Sequence, residues 1–372
     1  MRKADNLFSK GVRVGLQELS PELLDSLHVS EESLIRELPG NYSLYPPLLL
    51  LPKHTFAGDQ WRALLLKLPD AQLYKFFKCM ATAMSVTHVA LNAPIPPSNN
   101  SKENILRSPT SLSPLYGDFG PVVTSINPIA EDFRSAFWVS TRQNGITQVW
   151  APRYTMFSRG NITEKARVLA LPSVREAVQQ GRDDSRGCAA VDLYAGIGYF
   201  AFSYAKAGVS KVYCWELNPW SVEGFRRGAE QNKWGVQVID DDLSGDEIAL
   251  ADAATFAVFK MDNLKAGPII ECSRKSIPPV RHVNCGLLPT SKGSWETAVK
   301  VLDPDLGGWL YLHENIAVHD VNVRSVEIHE EIQEMVNQKW VRERRTASLE
   351  HVERVKTYAP GIMHCVLDIR IS

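Results

Sequence analysis

The segment that most constrains this chain is 189–200, Ala-Ala-Val-Asp-Leu-Tyr-Ala-Gly-Ile-Gly-Tyr-Phe. A short apolar run ends at an acid, two glycines one residue apart follow, and a helical pattern begins. Apolar residues on both faces predict that 189–193 is a strand buried on both sides, as in parallel sheets. Gly196 and Gly198 allow a tight turn and a close approach of backbone to a ligand. From about Phe157 onward the rest of the chain alternates in the same way. A second strand is predicted at 211–215, a helix from Pro219 to about Asn232, a third strand at 236–239, a fourth at 280–283 and a fifth at 308–313. A helix at 321–337 and an antiparallel pair at 352–358 and 362–371 complete the pattern. This is an α/β sandwich, a mainly parallel sheet closed by an antiparallel edge, and ligands of such sheets sit outside the carboxyl ends of the strands.

The loop narrows the ligand. A phosphate loop needs G-x-x-x-x-G-K-[ST], which is absent, and G-x-G-x-x-G fails because position 201 is Ala. What remains is D-x-x-A-G-x-G, the pattern of S-adenosylmethionine (SAM) sites, in which Asp192 meets the ammonium of the methionyl tail. An ordinary glycine turn is the competing reading. The second strand ends at Glu216, where a carboxylate can accept from both ribose hydroxyls. The third ends in Asp240-Asp241-Asp242, where one acid can accept from an adenine amino group, or all three form a solvated run. Acids at three successive strand tips are more specific than any one alone.

Composition excludes several classes. Lys+Arg 41 against Asp+Glu 42 leaves a net charge of −1, so any nucleic-acid surface is a local patch rather than a basic tail. The six cysteines contain no C-x-x-C pair, which argues against a zinc ribbon, an Fe–S cluster and a disulfide scaffold. His313-Glu314 is not followed by the second histidine of H-E-x-x-H, and no metal is expected. The first residues lack the apolar core of a signal peptide, and the longest apolar run, 45–52, is too short to cross a bilayer. A soluble, cytoplasmic protein is expected.

Two domains are expected: 1–150, and a catalytic domain at 151–372. The first is predicted to hold short helices, a buried strand at 45–52, a helix at 61–84, a flexible Pro/Ser/Asn-rich loop at about 93–114 and a hairpin at 133–152. Between the domains, Met156-Phe-Ser-Arg-Gly-Asn161 leads into a helix from Ile162, with Asn161 and Glu164 spaced as a capping box. Lys165 and Arg167 then fall in its first turns.

Several of these stretches are similar to the tRNA wybutosine-synthesizing protein 2 family: 156–165, 192–200, Glu216-Leu-Asn-Pro219, Gly286-Leu-Leu-Pro-Thr-Ser291, 355–360, and 45–52 with Phe56 and Trp61. The resemblance implies a Rossmann-like, class I SAM-dependent methyltransferase-type sheet behind a smaller mixed α/β amino-terminal domain. It implies transfer of the 3-amino-3-carboxypropyl group of SAM, a co-substrate, to C7 of 4-demethylwyosine at position 37 of phenylalanine tRNA. Carried over position by position, Ser158 and Lys165 match residues that contact SAM, Glu216 the ribose-binding acid and Asp242 the adenine-side acid; with Asp192, Tyr194, Gly196 and Gly198 of the glycine loop they are the expected SAM-binding residues. The family usually follows the adenine-side acid with Asn, whereas Leu243 follows Asp242 here. The alternatives are a tRNA guanine-37 N1-methyltransferase, whose fourth-strand tip resembles N-L-P, and an inactive tRNA-binding protein. His313, expected at the fifth strand's tip, is a candidate base or a core histidine. Arg153, Arg159, Arg167 and the 342–345 cluster are candidate tRNA contacts.

Overall fold

The computed structural model describes residues 6–92, 112–241, 254–341 and 344–372. The chain forms two compact units, Met1–Thr141 with Val149–Phe157, and Arg142–Gln148 with Ser158–Ser372.

In the first unit a four-stranded sheet runs in sequential order: β1 (Ser43–Tyr45), β2 (Leu48–Leu51), β3 (His88–Leu91) and β4 (Ser113–Tyr116). The expected single strand at 45–52 is two antiparallel strands, because Pro46-Pro47 makes the turn between them. The expected helix 61–84 is also two, Asp59–Lys67 and Asp70–Ala83. Pro69 forces Leu68 into an extended conformation and starts the second helix. Phe8, Val12, Trp61, Leu64 and Met80 fill the core under the sheet. Residues 93–111 of the Pro/Ser/Asn-rich segment lie outside the described residues, and Ser113 and Pro114 belong to β4.

The hairpin β5 (Val139–Gln143) and β6 (Ile146–Trp150) turns at Asn144 and Gly145, both with positive φ, as a two-residue hairpin turn requires. Ala136, inside the expected hairpin 133–152, instead caps the end of the helix Ala130–Ser135.

The second unit is built on β7 (Ala189–Asp192), β8 (Lys211–Trp215), β9 (Val236–Asp240), β10 (Phe256–Lys260), β11 (Val280–Cys285), β12 (Gly308–Ala317), β13 (Ala347–Ala359) and β14 (Ile362–Ile371). Their spatial order is β13-β14-β12-β11-β7-β8-β10-β9. The six strands from β12 to β9 are parallel, and β14 and β13 close the edge antiparallel. The expected third strand, β9, is therefore an outer edge. The strand beside β8 is β10, to which no expected strand corresponds.

Candidate functional site

The second unit's site begins where β7 stops. Asp192 is wholly buried, and its Oδ1 accepts from Asn284 Nδ2 at 3.1 Å and from the Tyr194 N–H at 3.3 Å. Its Oδ2 is buried with no partner among the described residues. Burial first, then the Glu216 charge, pushes its carboxyl up to about 7 against the pull of Asn284. An incoming ammonium would satisfy Oδ2 and favour the ionised form.

The glycine turn follows. Gly196 and Gly198 have φ of +56° and +87°, and a Cβ on either would meet the Tyr199 or Phe202 ring below 3.0 Å. Glu216, half-buried after β8, accepts from the Gly196 N–H through Oε2 at 2.8 Å and from the Asn218 N–H through Oε1 at 2.7 Å. Tyr194 packs its ring partly into the core.

The Ser158 N–H donates to Tyr199 Oη at 3.4 Å. Lys165 is 3% exposed; its Nζ donates to Gln143 Oε1 at 2.6 Å and Gln148 Oε1 at 3.0 Å, and lies over the Tyr199 ring. Gln148 Nε2 in turn donates to the Gly198 carbonyl at 3.2 Å, tying this ammonium to the glycine turn. Burial first, then Lys356, lowers the Lys165 ammonium to about 7. The hairpin glutamines carried no motif, so sequence reasoning missed them.

One whole-chain likeness decides the family. The tRNA wybutosine-synthesizing protein 2 of Schizosaccharomyces pombe is 38% identical over 92% of this chain and 74% of its own length. This chain belongs to the tRNA wybutosine-synthesizing protein 2 family. The Saccharomyces cerevisiae member is 32% identical over 91% of this chain and 75% of its own. The model of the TRM5/TYW2 methyltransferase domain matches residues 140–259. Among solved structures, Pyrococcus horikoshii TYW2 in complex with MeSAdo aligns over 95% of this chain and 99% of its own, with a TM-score of 0.57 at 17% identity. Methanocaldococcus jannaschii TYW2 in complex with AdoMet aligns over 89% and 99%, with a TM-score of 0.53 at 15% identity. At these identities the two structures speak for the fold, a SAM-dependent methyltransferase-type sheet.

Asp242 lies outside the described residues, and the strand before it, β9, is one strand removed from β8. At the tip of β10, directly beside β8, stand Asp262 and Asn263. Asp262 Oδ1 accepts from the Leu264 N–H at 2.8 Å, and Asn263 Nδ2 donates to the Leu193 carbonyl at 2.9 Å, next to the glycine turn. Asp262-Asn263 is thus an acid followed by Asn after the strand that pairs directly with β8.

Three expectations are corrected. Asn161 makes no side-chain cap, and Glu164 does not close a capping box. Glu164 instead pairs with Arg167, which also forks onto Asp368 of β14 at 2.6 and 2.9 Å. Arg167 is therefore committed to two buried carboxylates rather than presented to RNA. His313 is not at a strand tip; β12 runs four residues beyond it, to Ala317, and the ring is buried. Of the other arginines, Arg159 is exposed, Arg153 lies over the Phe119 ring, Arg345 donates to the Pro304 and Asp305 carbonyls, and Arg342 is outside the described residues.

Proposed function

We propose that this protein transfers the 3-amino-3-carboxypropyl group of SAM to C7 of 4-demethylwyosine at position 37 of phenylalanine tRNA, a step of wybutosine synthesis. What carries the reading is a likeness that runs through both units, 92% of the chain at 38% identity, to a protein named for that synthesis. The residues suit the co-substrate. Asp192 offers a buried acceptor to the methionyl ammonium, and the glycine turn admits the ligand's backbone-close portion. Glu216 accepts the ribose hydroxyls, and Asp262 with Asn263 reads the adenine. Lys165, reached from Ser158 through Tyr199, balances the methionyl carboxylate. The partner is phenylalanine tRNA and the compartment the cytoplasm; no helix of the described residues is long and apolar enough to cross a membrane.

SAM's sulfonium activates three carbons, and the one presented to the nucleophile decides the product. Fixing both charges of the arm, at Asp192 and Lys165, turns the arm's methylene rather than the methyl toward the base. The electron-rich ring carbon attacks, and methylthioadenosine leaves. Incubation with SAM and phenylalanine tRNA carrying 4-demethylwyosine, followed by nucleoside mass spectrometry, tests this. Gain of the aminocarboxypropyl mass is expected. Gain of a methyl instead would make it a methyltransferase, and no gain an inactive binder.

A further inference from the structure

Strand β12 runs past its parallel neighbour. Leu312 pairs with Cys285, the last residue of β11, and 313–317 continue beyond it against β14. The chain leaving β11 turns back along this overhang. Thr290 stands opposite Glu314 as an antiparallel bridge, and the Asn315 N–H donates to the Pro289 carbonyl at 2.8 Å. The Glu314 side chain adds the main tie. The residue is 5% exposed, and its Oε1 accepts from the Ser291 N–H at 2.7 Å, the Thr290 hydroxyl at 2.9 Å and the Ser291 hydroxyl at 3.1 Å. Ser291 is also held from behind, where its Oγ accepts from Trp295 Nε1 at 3.0 Å and its carbonyl from the Ser294 hydroxyl at 2.8 Å.

The near end of the same loop adjoins the glycine turn. Asn284 of β11 donates to Asp192, and a Cβ on Gly286 would lie 3.0 Å from Asn284 Nδ2 and 3.6 Å from the Phe200 ring. Between the two anchorages Gly286, Leu287 and Leu288 are half-buried, and Pro289 and Thr290 are exposed. An open apolar ledge thus stands at the carboxyl edge of the sheet, where a substrate meets the ligand of such a fold. Leucine side chains offer a flat base no hydrogen bond, so the ledge orients it only through its own position. Burial raises the Glu314 carboxyl, against the pull of Ser291, Thr290 and then Arg324 of the helix Val321–Lys339. Apolar packing would hold a purely structural turn without that cost. Charge-assisted bonds converging on one oxygen hold one backbone position instead.

We propose that Glu314 is a positioning residue for the acceptor. It fixes the ledge 286–289 against which the base of nucleotide 37 lies, and so sets the distance from the ring carbon to the methylene of the arm. This rests on the transfer reading above. Attack needs the two carbons about 3–3.5 Å apart and aligned, and a carbon nucleophile in an aromatic ring gives the protein no N–H at the reacting atom by which to hold it. Placement then falls to the surface under the ring. Glu314 acts through Thr290 and Ser291 alone, at the far end of the ledge from the glycine turn. The ligand and the base are thereby held by separate groups that meet at β11.

The test uses the full chain, SAM and phenylalanine tRNA carrying 4-demethylwyosine, in single turnovers at saturating concentrations of both. Glu314→Asp keeps the charge but withdraws the oxygens by one methylene, and Glu314→Ala removes them. Each should slow the turnover by about 10- to 100-fold, the scale of a misplacement of about 1 Å. Glu314→Gln keeps an amide oxygen for the loop's donors and should restore most of the rate. Methylthioadenosine affinity, and tRNA affinity carried mainly by phosphates, should stay at wild-type values in all three. A merely structural strut would lose methylthioadenosine affinity and thermal midpoint along with the rate, and that parallel loss overturns the proposal. Wild-type turnover in the Asp and Ala variants, or a Gln variant as slow as Ala, overturns it too. Should Glu314→Ala fail to fold, Glu314→Asp and Thr290→Val decide. The latter removes one loop hydroxyl at an exposed residue and should slow the turnover by about 2- to 10-fold, the worth of one hydrogen bond; unchanged rates in both overturn the proposal. A wild-type protein that makes no aminocarboxypropyl product defeats the transfer reading and this inference with it; product with unaltered variant rates defeats this inference alone.

Discussion

Glu216 holds the backbone of Gly196: its Oε2 accepts that N–H at 2.8 Å while its Oε1 accepts the N–H of Asn218 at 2.7 Å. One carboxylate thus joins the turn after β7 to the start of the helix Pro219–Gln231. Several lone-pair sites let such a group hold backbone and ribose together. The ribose acceptor and the shape of the glycine turn are therefore not independent features.

Replacing Glu216 with Gln leaves one acceptor oxygen and places an amide donor against one of those N–H groups. SAM affinity should fall by about 1–3 kcal/mol, the scale of hydrogen bonds to a charged group and of a donor left unmatched. Titration calorimetry measures it, and methylthioadenosine should lose as much, since both ligands carry the ribose. Unchanged affinity would remove Glu216 from the site.

Asp262 is expected to act at the adenine end. Asp262→Ala should weaken SAM and methylthioadenosine alike, by about 1–2 kcal/mol. Asp240→Ala, on the edge strand β9, should change neither by more than a few tenths of a kcal/mol, the usual effect of a surface change. A larger loss at Asp240 than at Asp262 would restore the acid run 240–242 as the adenine contact.

Strand order shows where sequence reading stops. The strand–turn–helix at 189–206 is legible because buried strands and glycine turns leave local signals, and Gly196, Gly198 and Glu216 lie where those signals put them. Spatial strand order is not local. Nothing in residues 254–263 announces that β10 inserts between β8 and β9, so the third strand in sequence does not take the third place in space. Glu164 failed for a related reason. Its spacing from Asn161 suited a capping box, but Arg167 and Asp368, the latter some two hundred residues away, offered a charged partner in the interior. Where a local pattern competes with a buried ion pair, the pair wins, because an unpaired buried carboxylate costs more than a missing cap.

Arg167 carries a consequence for stability. With its guanidinium removed, Glu164 and Asp368 remain as two buried acids side by side, 2% and 4% exposed. Arg167→Leu should cost about 3–5 kcal/mol in urea unfolding, the usual penalty for breaking a buried ion pair from one side. Affinity of the folded fraction for tRNA should not change. A variant of wild-type stability with weakened tRNA binding would return Arg167 to the RNA surface.

The two ends of the methionyl tail should reveal themselves through protons. Asp192 and Lys165 both sit at about 7 in the free protein, one raised and the other lowered chiefly by burial. A bound ammonium favours the ionised Asp192, so SAM binding near pH 6 should release a proton from the fraction still protonated. A bound carboxylate favours the charged Lys165, so binding near pH 8.5 should take a proton up. The proton number, read by calorimetry in two buffers of different ionisation enthalpy, is expected to change sign near pH 7. Methylthioadenosine lacks both charges and should show little linkage at either pH. The ligand's own amine, with a pKa of about 8, adds to the uptake at high pH, so the decisive quantity is a difference between proteins. Lys165→Met should reduce the uptake at pH 8.5 and spare the release at pH 6; Asp192→Asn should abolish the release and spare Lys165's share of the uptake. Equal proton numbers for wild type and Lys165→Met at pH 8.5 would detach Lys165 from the carboxylate. Equal numbers for wild type and Asp192→Asn at pH 6 would do the same for Asp192 and the ammonium.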